Sequence, residues 1–517
     1  MLVKTFGSAV FGVEAMTISV EVDVNNQGKH YFIVGLPDNA VKESLQRMES
    51  ALKSNGYFMP RTKLLVNLAP ADIRKTGTAF DLPITIGTLA ATEQFEVVLP
   101  LKKWLIMGEL GLDGEIKPIR GVLPMALQAV RDGFDGFMLP EANTHEAAMI
   151  QGLQIIGVSH LKEVVALLSG QAPLTPTCLH PDNLYSDSVP INQCDFADVK
   201  GQSTIKRAME IAAAGGHNVL LIGPPGAGKT MLAKRLPSIL PPLSMEEALE
   251  TTKIHSVAGH LSAQTPLIRH RPFRSPHHTI SDVALVGGGG FPQPGEISLA
   301  HNGVLFLDEL PEFKRTVLEV MRQPMEERRV TISRAKIALD FPANFMLIAS
   351  MNPCPCGYFN HPDKACTCPP GAVQKYLNKV SGPLLDRIDL HVEVTPVPFK
   401  ELADNETGEC SAAIRIRVEQ ARRIQAKRFK PFSNLHANAQ LTAGQLNRFC
   451  SIDQPSTTLL RNAMEKLHLS ARAYDRILKV SRTIADLDHS DKIQAHHIAE
   501  AIQYRSLDRE QWTTTRM

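Results

Sequence analysis

The segment Gly223-Pro224-Pro225-Gly226-Ala227-Gly228-Lys229-Thr230 places three glycines, a lysine and a hydroxyl between the apolar run ending at Ile222 and a helix-forming run beginning at Met231. Glycines let backbone N–H groups turn inward around phosphate oxygens, Lys229 has the reach for β and γ phosphates, and the Thr230 hydroxyl can hold Mg²⁺. The spacing G-x-x-x-x-G-K-[ST] in a strand, loop, helix setting predicts a nucleoside triphosphate site. Downstream, the apolar run Val304 to Leu307 ends in Asp308 and Glu309, carboxylates at the strand end where open α/β sheets bind ligands. Asp308 is expected to coordinate Mg²⁺ through water, and Glu309 to orient and polarise the attacking water. The next such run ends at Asn352, whose amide could help position that water; an asparagine in a turn is the alternative.

A second cluster suggests a metal. Cys354, Cys356, Cys366 and Cys368 crowd into 15 residues, while Cys178, Cys194, Cys410 and Cys450 stand apart. Four thiolates suffice for a closed tetrahedral Zn²⁺ site, although C-x-C is tighter than the usual C-x₂₋₄-C; His361 is a spare ligand and free surface thiols are the alternative. Two basic features could meet nucleic acid. Arg328 to Asp340 reads as a hairpin carrying Arg334 and Lys336 at its turn, and the helical stretch 411–429 carries Arg415, Arg417, Arg422, Arg423, Lys427 and Arg428 against Glu419. Two basic residues at a turn are more often merely solvated, and for the helix a solvated face or a subunit contact is the equal alternative.

The elements that must position these groups follow from the wider pattern. A chain of 517 residues suggests about three domains. With 55 Lys+Arg against 53 Asp+Glu the net charge is +2, so any nucleic-acid surface must be local. A hydrophobic content of 44% excludes disorder as the main theme. No signal-peptide core and no long apolar run is present, so a cytoplasmic chain without a membrane span is expected. Residues 1–168 alternate short strands (17–24, 30–34, 64–68) with helical stretches (41–56, 83–93), giving an α/β domain. Residues 169–197 turn rich in Pro, Thr, Ser and Asn, a linker. Residues 198–400 place buried-type strands at 219–222, 304–307 and 345–350, a parallel sheet with crossovers. Residues 401–517 are helical, with 3.6 spacing at 411–429, 456–467, 470–487 and 492–505.

These motifs resemble the AAA+ ATPases, and within them the magnesium-chelatase-related branch. The resemblance implies that Asn352 is the first sensor, that Arg387 in Leu384–Asp389 reaches the γ phosphate of a neighbouring subunit, that Arg472 in Leu469–Arg472 touches nucleotide from the lid, and that Gln202 in Val199–Gln202 lies by the adenine. The hairpin carrying Arg334 and Lys336 and the run 286–296 resemble pore loops. The strings AFDLPI at 79–84, RPFRSPHHT at 271–279 and NPCPCG at 352–357 resemble the ComM (YifB) family.

That resemblance implies an α/β fold class with three domains: an N-terminal domain like ribosomal protein S5 domain 2 and the Lon protease, a central AAA+ P-loop domain, and a C-terminal helical lid. It further implies an ATP- and Mg²⁺-dependent homo-hexameric motor acting on single-stranded and branched DNA, promoting branch migration in recombination during natural transformation, with recombination proteins as further partners. The alternative is a chelatase-like motor that remodels a protein partner without nucleic acid. A protease is disfavoured: where Lon-type chemistry needs a Ser nucleophile and a Lys base, the corresponding strings carry Thr78 and Leu123.

Overall fold

Alternation at the N-terminus produces a long antiparallel hairpin, Leu2–Phe11 with Glu14–Asn25, and Ile18, Val20 and Val22 share its fully buried face. The computed structural model describes residues 1–517 except 26–27, 29, 179–193, 262–265, 290–291, 335–336, 362, 398–407, 433–434 and 506–517. The chain divides into two units, Met1–Ser188 with Ala248–Ile268, and Val189–Glu247 with Arg269–Met517. Among the described residues no helix is long and apolar enough to cross a membrane.

The first unit is built on a seven-stranded mixed sheet in the order Tyr31–Val34, Lys63–Ala69, Glu14–Asn25, Leu2–Phe11, Trp104–Ile106, Gly136–Pro140, Gln154–Val158. Leu64, Val66 and Leu68 alternate inward as a half-buried strand requires. The helix Asp81–Ala91 is buried on every side, and at Gly87 a Cβ would come within 2.7 Å of Val22 Cγ2. Its first residue, Asp81, is completely buried; Arg47 grips the carboxylate with two N–H groups at 2.6 and 2.8 Å, and Ser44 Oγ donates at 2.6 Å. Such pairing is what makes a buried carboxylate tolerable. The unit is discontinuous in sequence: within 248–268, Ser256 Oγ donates to Glu146, and the Gly121 N–H donates to Ser256 O at 3.2 Å.

The second unit holds five parallel strands in the order Phe273–Arg274, Val304–Leu307, Met346–Met351, Val219–Ile222, Leu390–Glu393. The inner strands are buried on both faces, hence their unbroken apolar sequence. Helices at Ser411–Phe429, Gln454–Leu467, Ala471–Leu487 and Ala495–Gln503 follow. Two begin at side-chain caps: Asp453 accepts from Ser456 N at 2.9 Å and Ser470 from Ala473 N at 3.2 Å.

The basic helix departs from the surface reading. Arg415 donates to Ser238 O at 2.6 Å, Arg417 is clasped by Glu210 and Glu409, Arg422 donates to Ala213 O at 3.0 Å, and Arg428 binds Asp486 and Asn438. Four of its six cations are therefore internal buttresses, satisfying carbonyls and carboxylates that folding would otherwise strip of water.

Candidate nucleotide and metal site

Val219–Ile222 pairs with Met346–Met351 on one side and Leu390–Glu393 on the other, so the chain leaving its carboxyl end enters a crevice between neighbouring strand ends. There the loop from Gly223 turns through Gly226 (φ +80°) and Gly228 (φ +87°), left-handed conformations that glycine adopts without steric cost, before the helix Lys229–Arg235 begins. Lys229 Nζ donates to Gly223 O at 2.6 Å, Pro224 O at 2.9 Å and Asn352 Oδ1 at 3.0 Å. Desolvation lowers its pKa, and Asp308 and Glu309 oppose that shift.

Asp308 accepts from Thr230 Oγ1 at 2.8 Å, from Ser350 Oγ and from Glu309 N at 3.1 Å. The Thr230 hydroxyl and the Asp308 carboxylate are neighbouring oxygen donors of the kind Mg²⁺ takes, the hydroxyl as a direct ligand and the carboxylate through a bound water. Glu309 takes the left-handed conformation (φ +55°), a strain typical of functional positions, and is three-fifths exposed. His278 Nδ1 lies 3.7 Å from its Oε2. His278 and Ser350 carried no role in the sequence reading. The histidine doublet shortly after the strand Phe273–Arg274 was the available signal for one, and the hydroxyl two residues before Asn352 for the other.

Gln202 (φ +52°) donates from Nε2 to Ala227 O and to Thr395 O, each at 3.1 Å, joining the phosphate loop to the chain leaving Leu390–Glu393. Its Oε1 is buried without a hydrogen-bond partner among the described residues, an acceptor a bound nucleotide could satisfy. Arg387 is tied to Glu326 and Arg472 to Asp386, the latter at 3.0 Å with Arg472 well exposed. A buried network fixes the helix Ala471–Leu487: Asp389 meets Arg476 at 3.1 Å, Asn218 N at 3.0 Å and His217 Nδ1 at 3.4 Å, while His217 Nε2 lies 2.8 Å from Thr483 Oγ1. Burial works to raise the Asp389 pKa, but Arg476 and His217 hold it well below the carboxylate range.

The four clustered cysteines converge. Cys354 Sγ lies 3.3 Å from Cys356 Sγ and 3.8 Å from Cys366 Sγ, Cys356 to Cys366 is 3.5 Å, and all four sulfurs lie within 4.8 Å of one another. Zn–S bonds of ~2.3 Å imply tetrahedral edges of about 3.8 Å, so the donor set fits zinc. Phe359 N donates to Cys354 Sγ at 3.3 Å, as thiolate ligands require of their surroundings. Beside this loop a cavity of about 430 Å³ is lined by Glu309, Asn352, Pro355, Lys375, Tyr376 and Lys379.

Elsewhere, Arg329–Arg334 pairs with Ile337–Pro342 as a hairpin, and Gly287–Gly288 pairs with Gln293–Pro294. Lys336 and the side chain of Arg334 lie outside the described residues. Thr78 Oγ1 donates to Glu109, and Leu123 is buried in the apolar core.

Residues 195–402 match the family described as magnesium chelatase, subunit ChlI; residues 20–143 match subunit ChlI of Mg-chelatase, and 408–505 its C-terminal region. The chain is 43% identical over 503 residues to the uncharacterised protein YifB of Escherichia coli, covering 97% of this chain and 96% of that one. It is 42% identical over 516 residues to the competence protein ComM of Haemophilus influenzae, covering 98% of each, and 39% identical over 503 residues to an uncharacterised Mycobacterium tuberculosis protein, covering 97% and 98%. With that similarity running the full length and the P-loop and carboxylate strand ends meeting in one crevice, the chain belongs to the ComM/YifB family of magnesium-chelatase-related AAA+ proteins.

Proposed function

We propose that the chain is a Mg²⁺-dependent ATPase working as a homo-hexameric ring that moves branched DNA, promoting branch migration in recombination during natural transformation. The observation that carries the nucleotide half is the meeting of Lys229 with Asn352 and of Thr230 with Asp308 at the carboxyl ends of three adjacent strands. Lys229 turns from Gly223 O and Pro224 O to the β and γ phosphates, which frees Asn352 Oδ1 to accept from the attacking water. Glu309 orients and polarises that water, Ser350 steadies Asp308, and Gln202 Oε1 accepts from the nucleobase. Thr230 and, through water, Asp308 would hold Mg²⁺, which when bound would supply positive charge against that developing on the phosphates. Arg387 from a neighbouring subunit and Arg472 from the lid complete the site.

The DNA half is supported by the Haemophilus influenzae relative's name as a competence protein and by the hairpin carrying Arg334 and Lys336. The first unit acts as a non-proteolytic scaffold of S5 domain 2 or Lon-like type: Thr78 faces a carboxylate instead of an amine, and Leu123 has no proton-accepting group. The chain works in the cytoplasm, where reduced thiols suit a structural Zn²⁺.

With Mg²⁺, ATP and a three-stranded DNA junction, the purified chain is expected to hydrolyse ATP and move the junction, and Lys229→Ala and Glu309→Gln each to abolish both. Hydrolysis that DNA does not stimulate, with no junction movement, would favour the second reading, a chelatase-like motor remodelling a protein partner, which the magnesium-chelatase family match supports.

A further inference from the structure

The thiolate cluster and the nucleotide crevice share residues. Asn352, which accepts from Lys229, lies two positions before Cys354, and Pro355, between the first two thiolates, lines the cavity that Glu309 and Asn352 also line. The turn that follows is closed by Gly357 N donating to Cys354 O at 3.0 Å, and Gly357 (φ +85°) lies directly on the phosphate loop: a Cβ there would stand 2.4 Å from Pro225 Cδ and 2.9 Å from Pro225 Cγ. Cys354 itself is fully buried. On the far side, Tyr376 lines the same cavity, and its hydroxyl pKa is raised by burial to about 12 and opposed by a backbone hydrogen bond with Asn352. The C-x-C turn is therefore wedged between the glycine-rich loop and the groups that handle the attacking water.

We propose that the four-thiolate metal loop is a wall of the nucleotide pocket, and that zinc in Cys354, Cys356, Cys366 and Cys368 sets nucleotide affinity by holding Gly357 against Pro225 and Asn352 beside Lys229. The inference rests on the ATP-site reading above. A loop of this length with few apolar side chains has little core of its own, and the metal supplies the cross-link that fixes it. Without that cross-link the backbone from Asn352 onward gains conformational freedom that nucleotide binding must then remove, which weakens apparent affinity. In the loaded state the close approach at Gly357 leaves the phosphate loop one position, so affinity responds to any group inserted there.

The test uses the full chain, zinc analysis and a fluorescent ATP analogue with Mg²⁺. Protein as purified is expected to hold about one zinc per chain and to bind the analogue. After zinc removal by a chelator and desalting, with folding checked by circular dichroism, affinity is expected to fall about tenfold or more and to return on adding Zn²⁺. Gly357→Ala keeps all four thiolates and its zinc, yet should lose affinity about tenfold by crowding Pro225. Gly371→Ala, with the same left-handed backbone (φ +78°) but open space around its Cβ, should bind as the parent does. Unchanged affinity in folded, zinc-free protein, unchanged affinity in Gly357→Ala, or protein isolated without zinc overturns the proposal. If removing zinc unfolds the chain, Gly357→Ala decides alone. Zinc-loaded parent protein that binds no nucleotide sinks the ATP-site reading instead, and is told apart by its failure before any metal is removed.

Discussion

Arg387 is held by Glu326: the carboxylate Oε1 lies 2.7 Å from the guanidinium Nη2, while Nη1 donates to Pro383 O at 2.6 Å. Only a tenth of the Arg387 side chain is exposed, and its Nε is buried without a hydrogen-bond partner among the described residues. Glu326 itself is half exposed, so this clasp is one a stronger anion could displace. The partner comes from the helix Arg322–Glu327, well upstream in the chain.

If Arg387 serves the neighbouring subunit's γ phosphate, removing it should lower the ATPase rate by ~10³ to 10⁵. Arg387→Ala chains mixed with Lys229→Ala chains should then recover part of the rate, because each lends what the other lacks. A mixture as inactive as its components, or full activity from isolated monomers, would show that the sites are not shared.

A pH dependence follows from the buried groups around Asp389 and the strand Leu390–Glu393. His217 and His391 are buried, and desolvation pushes both pKa values down, His391 well below the ordinary value. Both are neutral in folded and unfolded chains above pH ~6.5; below it the unfolded chain takes protons that the folded one refuses, so stability is lost as pH falls. Asp389 extends the trend, since its depressed pKa contributes stability that is present above ~3.9 and lost as acid titrates the unfolded carboxyl first. Urea midpoints at pH 8 and pH 5 should differ, with the lower value at pH 5. Equal midpoints, or a higher one at pH 5, would refute this.

The glycine-rich loop and the carboxylate strand end were legible in the sequence because their residues are local. Strands buried on both faces must read as unbroken apolar runs, so 219–222 and 304–307 stand out, and their ends give Gly223 to Thr230 and Asp308–Glu309 directly. What stayed hidden depends on approach across the fold. His278 reaches Glu309, Glu326 reaches Arg387 and Gly357 reaches Pro225 from distant segments, and no spacing rule encodes such meetings. Helix 411–429 misled for a related reason: a row of arginines looks solvated until the carbonyls of Ser238 and Ala213 are found against it. Likewise, nothing in the pattern of 248–268 says that it packs with the first unit.

The Arg47–Asp81 clasp predicts a large stability loss from a single change. Arg47→Met keeps the stem's packing but strands a fully buried carboxylate that, among the described residues, only Ser44 Oγ and the Leu110 N–H then meet. Breaking a buried pair from one side costs about 3 to 5 kcal/mol. Chemical denaturation followed at Trp104, in the sheet of the same unit, should show the loss; a change below about 1 kcal/mol would mean water reaches Asp81 and the pair is weak.

DNA engagement should depend on the hairpin tip and not on overall charge. At a net +2 the chain lacks a general cationic field, and four of the six cations in 411–429 are occupied inside the fold, so phosphate contacts must come from a few placed residues. Arg334 ends one strand of a two-stranded ribbon, the sequence places Lys336 two residues further on, and a ring would present one such pair per subunit. Each phosphate neutralised on a single strand contributes a slope of roughly 0.7 in log affinity against log salt. Arg334→Ala/Lys336→Ala should therefore weaken single-strand binding without sequence preference, flatten its salt dependence and stop branch migration, while nucleotide affinity stays at the parent value. Binding isotherms across a salt series, run beside the nucleotide assay, make the comparison. If the double mutant keeps both the affinity and the slope, the DNA path lies elsewhere, and the ribbon Gly287–Gly288 with Gln293–Pro294 becomes the segment to mutate next.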